Sequence, residues 1–177
     1  MKLFIPLADG FEDIEAVAVT DILRRAGITI DTVGIPGTVV TSMNGVRIYV
    51  ERRMIELKPD DYDGIVLIGG GKNIETLGRT SAIIEAIKRL SVRGKVVAAI
   101  CAAPTILAKL GILDDKRATI YPGMERELPK PRGEKVIVDG NIITSQGPGT
   151  AVEFALKIVE LLKGRAKADQ IRQDIVA

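Results

Sequence analysis

Lys95-Val96-Val97-Ala98-Ala99-Ile100-Cys101-Ala102-Ala103-Pro104 is the stretch that decides the fold. Lys95 to Ile100 is a short, almost wholly apolar run, the pattern of a strand buried on both faces, as in a parallel sheet covered by helices. Cys101 follows at once, with Ala99 and Ala103 two positions to either side. A chain that doubles back sharply from strand to helix needs small residues at those positions, because larger ones would collide. Ala102 to Leu110 reads as the ensuing helix, with Pro104 in its first turn, where a missing N–H costs little, and Gly111 as its stop. The corner therefore predicts a nucleophile elbow. It lifts the Cys101 sulfur to the carboxyl edge of the sheet at a helix start, where unpaired N–H groups favour thiolate and lower its pKa. The bland alternative is a buried cysteine that packs as a small hydrophobe.

Outward from this corner the chain alternates strands and helices. Lys2 to Leu7 is an apolar strand closed by Ala8-Asp9-Gly10, and a helical pattern follows in which Ile14, Val17, Ala18 and Ile22 share one face until Gly27 stops it. Thr29 to Gly34 completes a β-α-β unit, which implies a parallel sheet. Val39–Met43 and Val46–Val50 flank Asn44-Gly45, a dipeptide suited to positive φ at both centres of a tight hairpin, and predict an antiparallel addition to the sheet. Gly64 to Ile68 is another strand, and Ser81 to Leu90 a helix with Ile83, Ile84 and Ile87 inward. Val136–Val138 and Ile142–Ser145 bracket Asp139-Gly140-Asn141 as a second hairpin, before a helix from Thr150 to Leu162. The charged stretch from Lys163 onward reads as solvated, with Ile171 and Ile175 available to pack a short terminal helix. No linker or repeat divides the sequence, so residues 1–177 are expected to form one α/β domain.

Between the Gly64–Ile68 strand and its helix lies Gly69-Gly70-Gly71, at the same carboxyl edge as Cys101, where such sheets bind ligands. Glycine lets backbone N–H groups approach a reacting oxygen, and the N–H groups of Gly70 and Ala102 are the expected oxyanion donors. A plain flexible turn is the alternative. The spacing around Gly71-Lys72 is not that of a phosphate-binding P-loop. Glu12, Asp13 and Glu15 begin the first helix, where acids ordinarily compensate the dipole.

Composition narrows the chemistry. The 177 residues are 46% hydrophobic and 27% charged, with a formal charge of +2. The basic residues are interspersed with acids, which gives nucleic-acid binding little support. No apolar run approaches membrane-spanning length, and Asp9, Glu12 and Asp13 interrupt the N-terminus where a signal peptide would stay apolar. With one cysteine and no histidine, an internal disulfide, the usual transition-metal site and the usual general base are all ruled out. These features predict a cytoplasmic protein that works without cofactor or metal.

Several motifs, taken together and in order, resemble the ThiJ/PfpI family. They are Ala8-Asp9-Gly10-Phe11-Glu12-Asp13-Ile14-Glu15, Arg24-Arg25-Ala26-Gly27, Ala98-Ala99-Ile100-Cys101-Ala102-Ala103-Pro104, Thr144-Ser145-Gln146-Gly147-Pro148-Gly149-Thr150 and Glu153-Phe154-Ala155-Leu156. The sequence is most similar to the branch of the parkinsonism-associated protein deglycase. The resemblance implies a flavodoxin-like three-layer sandwich with a mostly parallel sheet, a homodimer, and Cys101 as nucleophile beside a protonated glutamate at Glu15. It also implies chemistry on small reactive carbonyls such as methylglyoxal, of glyoxalase or deglycase type. The alternative is a redox-responsive stress or chaperone-like protein with an oxidisable cysteine, and a cysteine peptidase is the weaker third reading. Where the deglycase branch carries a histidine near the cysteine, this chain has Tyr121, an auxiliary hydrogen-bond donor. Where the peptidase branch has histidine directly after the nucleophile, it has Ala102. Gln146 stands in place of an arginine.

Overall fold

Strands covered on both faces send alternate side chains into two separate cores, and this period sets the architecture. The computed structural model describes residues 1–177. The chain runs β1 (Lys2–Ala8), α1 (Asp13–Arg25), β2 (Thr29–Ile35), β3 (Val39–Thr41), β4 (Arg47–Tyr49), β5 (Arg52–Arg53), β6 (Gly64–Leu67), α2 (Gly71–Arg79), α3 (Ser81–Val92), β7 (Val96–Ile100), α4 (Pro104–Lys109), β8 (Val136–Asp139), β9 (Ile142–Ser145), α5 (Ala151–Lys163) and α6 (Arg165–Asp174). Seven strands form one sheet in the order β5-β2-β1-β6-β7-β9-β8. All neighbours are parallel except β8 with β9.

Leu3, Ile5 and Leu7 of β1, Val66 of β6, and Val96, Ala98 and Ile100 of β7 enter the core that α1, α5 and α6 cover. Phe4, Ile65, Leu67, Val97 and Ala99 enter the opposite core, closed by α2, α3 and α4 through Leu77, Ile83, Ile87, Ile106 and Leu107. The result is the flavodoxin-like α/β sandwich that the sequence predicts. No helix is long and apolar enough to cross a membrane.

Some local expectations are revised. The buried face of α1 is Glu15, Ala16, Val19, Ile22 and Leu23, whereas Ile14 and Val17 are 57% and 58% exposed. Apolar residues occur almost all round this helix, so periodicity alone does not fix which stripe turns inward. The Asn44-Gly45 hairpin is not added to the main sheet, because β3 and β4 form their own two-stranded ribbon. Its loop is also wider than a two-residue turn: Ser42 N–H donates to the Val46 carbonyl (2.8 Å), and only Gly45 has positive φ (+88°). The third glycine of the triplet, Gly71, starts α2, with Gly70 as its cap. The helix after Cys101 is only the six residues of α4. The charged C-terminal stretch takes the short-helix form that the sequence allowed, and α6 docks by burying Ala168 and Ile171, with Ile175 packed against the same core.

Phe154 is fully buried in the α5 layer. Phe154→Ala should lower the unfolding free energy by about 3 to 5 kcal/mol, lost transfer energy and residual cavity together, measured as a shift of the urea midpoint. A shift near zero would mean that this layer is not closely packed.

Candidate active site at Cys101

Cys101 lies one residue beyond β7 with φ +63°, a left-handed conformation that costs a residue bearing Cβ roughly 1 to 2 kcal/mol. Hydrogen bonds on both sides hold it there. Its N–H donates to the Ser145 carbonyl at the end of β9 (3.0 Å), and its own carbonyl accepts from Tyr121 N–H (3.0 Å). An imposed, unfavourable backbone angle at one non-glycine residue is a recurrent mark of functional sites.

Parallel register supplies the rest of the site. Leu67 pairs with Ala99, so two residues further on Gly69 comes beside Cys101. A Cβ on Gly69 would sit 2.5 Å from Cys101 Cβ, 2.8 Å from Glu15 Oε2 and 2.9 Å from Cys101 Sγ. Only glycine fits there. Gly70 (φ +93°) cannot carry a side chain either, since its Cβ would lie 2.1 Å from the Gly10 carbonyl oxygen. In this conformation the backbone N–H groups of Gly70 and Ala102 are near enough to the Cys101 sulfur to favour its anion. The sequence expected general support from a helix terminus. A six-residue helix that begins at Pro104 supplies little dipole, and two individually aimed donors take its place.

Glu15 projects from the first turn of α1 and is fully buried. Its Oε2 accepts from Gly69 N–H (2.7 Å), whereas Oε1 is buried with no hydrogen-bond partner. Burial raises the Glu15 pKa to about 7, against the pull of the Gly69 N–H, and the Glu12 carboxylate adds to the rise. The Cys101 thiol is also pushed up, by burial first and by Glu15 second, with the Ala102 and Gly70 donors opposing. This corrects the expectation of a freely depressed thiol pKa: two acids confined in one dry space resist ionising together, and their titration belongs to the pair.

Tyr121 is half exposed and lines the same cavity as Cys101, with Met43, Asn44, Met124 and Pro148. Gln146 is not in the cavity wall and instead donates from Nε2 to the Gly133 carbonyl (3.1 Å). Three further residues contribute, of which Glu12 is expected from the sequence only as a helix-start acid and Asn73 and Met43 not at all. Asn73 of α2 is fully buried and ties the site's loops: its Oδ1 accepts from Ala8 N–H (2.8 Å), and its Nδ2 donates to the Ile68 (2.8 Å) and Gly69 (3.2 Å) carbonyls. Glu12 caps α1 by accepting the Glu15 N–H (2.8 Å). Met43 comes to the cavity on the hairpin, which Met43 N–H anchors to the Phe11 carbonyl (2.8 Å). A polar residue shortly after the glycine triplet was the available signal for Asn73; nothing local marks Met43. No cluster of three or more His, Cys, Asp or Glu side chains could hold a metal ion.

Against known proteins, a model of the DJ-1/PfpI family matches residues 1–161. The chain is 38% identical over 175 residues to Protein dj-1beta of Drosophila melanogaster, covering 96% of this chain and 94% of that one. It is 36% identical over 174 residues to Protein DJ-1 homolog B of Arabidopsis thaliana, covering 96% of this chain but only 40% of that longer protein. Among solved structures, Toxoplasma gondii DJ-1, described as oxidized, superimposes with a TM-score of 0.96 at 32% identity, covering 99% of this chain and 97% of that one.

The raised Glu15 pKa has a signed consequence for stability. A carboxyl at 4.5 when unfolded and about 7 when folded favours the folded state below pH 4.5, and that contribution is lost as pH rises through 7. Relative to Glu15→Gln, the parent should therefore lose up to about 3 kcal/mol between pH 4.5 and 8 and change little above that. Urea unfolding of both proteins across this range measures it, and parallel stability curves would refute the buried, raised carboxyl.

Proposed function

This chain belongs to the DJ-1/PfpI family, and on that footing we propose that it is a cofactor-independent glyoxalase or deglycase acting on small reactive carbonyls, with Cys101 as nucleophile. The observation that carries this reading is the convergence of Gly70 N–H, Ala102 N–H and the Glu15 carboxyl on one sulfur. Two N–H donors face the sulfur and one faces Glu15 Oε2, while Glu15 Oε1 has none. Burial holds both acids above their usual values, and the two donors at the sulfur stabilise the reactive form, in which the proton passes to Glu15 and the charge to sulfur.

With methylglyoxal, the sulfur adds to the aldehyde carbon, and the carbonyl electron pair moves to oxygen. The backbone donors then serve the developing oxyanion, which takes the Glu15 proton to give a hemithioacetal. The Glu15 carboxylate next removes the hydrogen from that carbon and returns it to the neighbouring one. As the enediol so traversed passes its first hydroxyl proton to the second oxygen, it becomes a lactate thioester, and water cleaves this to lactate and free thiol. Oxidation state is conserved overall, so the chemistry needs no electron carrier. Tyr121 contributes a hydrogen bond at the cavity mouth.

A second reading, a redox-responsive cysteine, is favoured by the oxidized state of the similar Toxoplasma gondii protein. The same donors and a protonated Glu15 would hold a sulfinate. A peptidase has less support, because the chain offers no histidine to pair with the thiol. Family membership also favours a homodimer, and exposed Ile14 and Val17 on α1 provide apolar surface for a second copy. On that arrangement Val17→Glu should halve the sedimenting mass; an unchanged mass would place the contact elsewhere or nowhere.

Lactate formation from methylglyoxal without glutathione tests the principal reading. Cys101→Ser should remain folded and lose at least about a hundredfold in kcat/KM, since a serine hydroxyl is scarcely ionised near neutrality. Equal turnover by folded Cys101→Ser would overturn the nucleophile. If the parent makes no lactate but dilute peroxide adds two oxygens to Cys101 by mass spectrometry, the redox reading takes its place.

A further inference from the structure

The cavity in front of Cys101, about 290 Å³, has Glu12 as the one charged side chain in its wall and neither lysine nor arginine. Glu12 is 7% exposed. Its Oε2 accepts the Glu15 N–H (2.8 Å) and its own N–H donates to the Gly69 carbonyl (3.2 Å), so the carboxylate is held in place at both ends. Asn44 does not offset it, because its Nδ2 is turned to Asp13 (2.9 Å). The nearby cations line other spaces. Lys72 shares a hollow with Asp9 beyond Met43 and Gly71, and Lys109 and Arg79 share the α2–α4 groove with Glu75 and Glu127.

We propose that Glu12 is a specificity-determining residue that selects against carboxylate-bearing electrophiles, so that the Cys101 pocket accepts uncharged carbonyl compounds and rejects 2-oxo acids such as glyoxylate. An entering anion gives up hydration and meets a fixed like charge, with no cation to receive it. Like charges about 6 Å apart at an effective dielectric near 20 repel enough for roughly a hundredfold, which partial screening reduces to about tenfold. The same field expels a product that becomes a carboxylate in the pocket. The carbonyl substrate class rests on the function proposed above, whereas the charge selection does not.

The experiment therefore uses a readout without turnover. Iodoacetamide, which is uncharged, and iodoacetate, an anion, each form a C–S bond at Cys101 and release iodide. Their rates are followed by intact mass in the parent, Glu12→Gln and Met43→Lys, at low and high salt. The ratio of iodoacetamide to iodoacetate rates in the parent should exceed that of a free thiol by about tenfold at low salt. It should fall towards the free-thiol ratio in high salt and in Glu12→Gln, where the amide oxygen still caps the Glu15 N–H. If Glu12→Gln does not fold, Met43→Lys on the exposed hairpin tip decides, and there too the ratio should fall. A parent ratio equal to that of the free thiol, or one unmoved by either variant, overturns the proposal.

Parallel assays with methylglyoxal and with 4,5-dioxopentanoate, a 2-oxoaldehyde that carries a remote carboxylate, complete the test. The parent should favour methylglyoxal by at least about tenfold in kcat/KM, and equal use of the anionic substrate overturns the selection. Charge-selective alkylation with conversion of neither carbonyl upholds the role of Glu12 and overturns the glyoxalase reading alone.

Discussion

Three groups occupy a space that admits no further carbon: the Glu15 carboxyl, the Gly69 backbone and the Cys101 side chain. A single Cβ at Gly69 would lie within 2.9 Å of both sulfur and carboxylate oxygen, and the other features of the site depend on that contact. It brings Gly69 N–H to Glu15 Oε2 and Gly70 N–H towards the sulfur. Parallel pairing of β6 with β7 makes the contact possible, because both strands end at the same edge and in register.

The strained backbone at Cys101 follows from the same packing. A left-handed cysteine would relax if its neighbours allowed it, but β9 holds its N–H and the segment around Tyr121 holds its carbonyl. The two hydrophobic cores keep those neighbours in place, so the stability of the layers is what maintains the angle at the nucleophile. Burial then sets the electrostatics. Packed side by side and largely buried, the carboxyl and the thiol both resist ionising, and backbone N–H groups oppose that rise at each of them.

How much of this was legible in the sequence varied with the range of the interaction. The elbow was legible because small residues flank Cys101 at fixed offsets, a steric demand that is local in the chain. The parallel sheet was legible because buried parallel strands are uniformly apolar and alternate with helices, whereas the order of its strands emerged only with the structure. The inward stripe of α1 was not, since that helix is apolar on several sides and long-range contacts choose among them. Glu15 was distinguished from Glu12 and Asp13 only through the family motif, because three acids at a helix start look alike until one of them is buried.

By itself the sequence determined a parallel α/β domain, a corner built for one cysteine, and chemistry without histidine, because these follow from local sterics, periodicity and composition; the sandwich of ThiJ/PfpI type came from the resemblance of its motifs to that family. The tertiary structure alone decided that Gly69 must lack a side chain, that Asn73 ties β1 to the glycine loop, that Glu12 and Met43 share the wall in front of the sulfur, and that thiol and carboxyl resist ionisation together. Each of these depends on the distance between groups far apart in the chain and on the water removed between them. Neither is fixed until the sheet has closed and the helices have covered it.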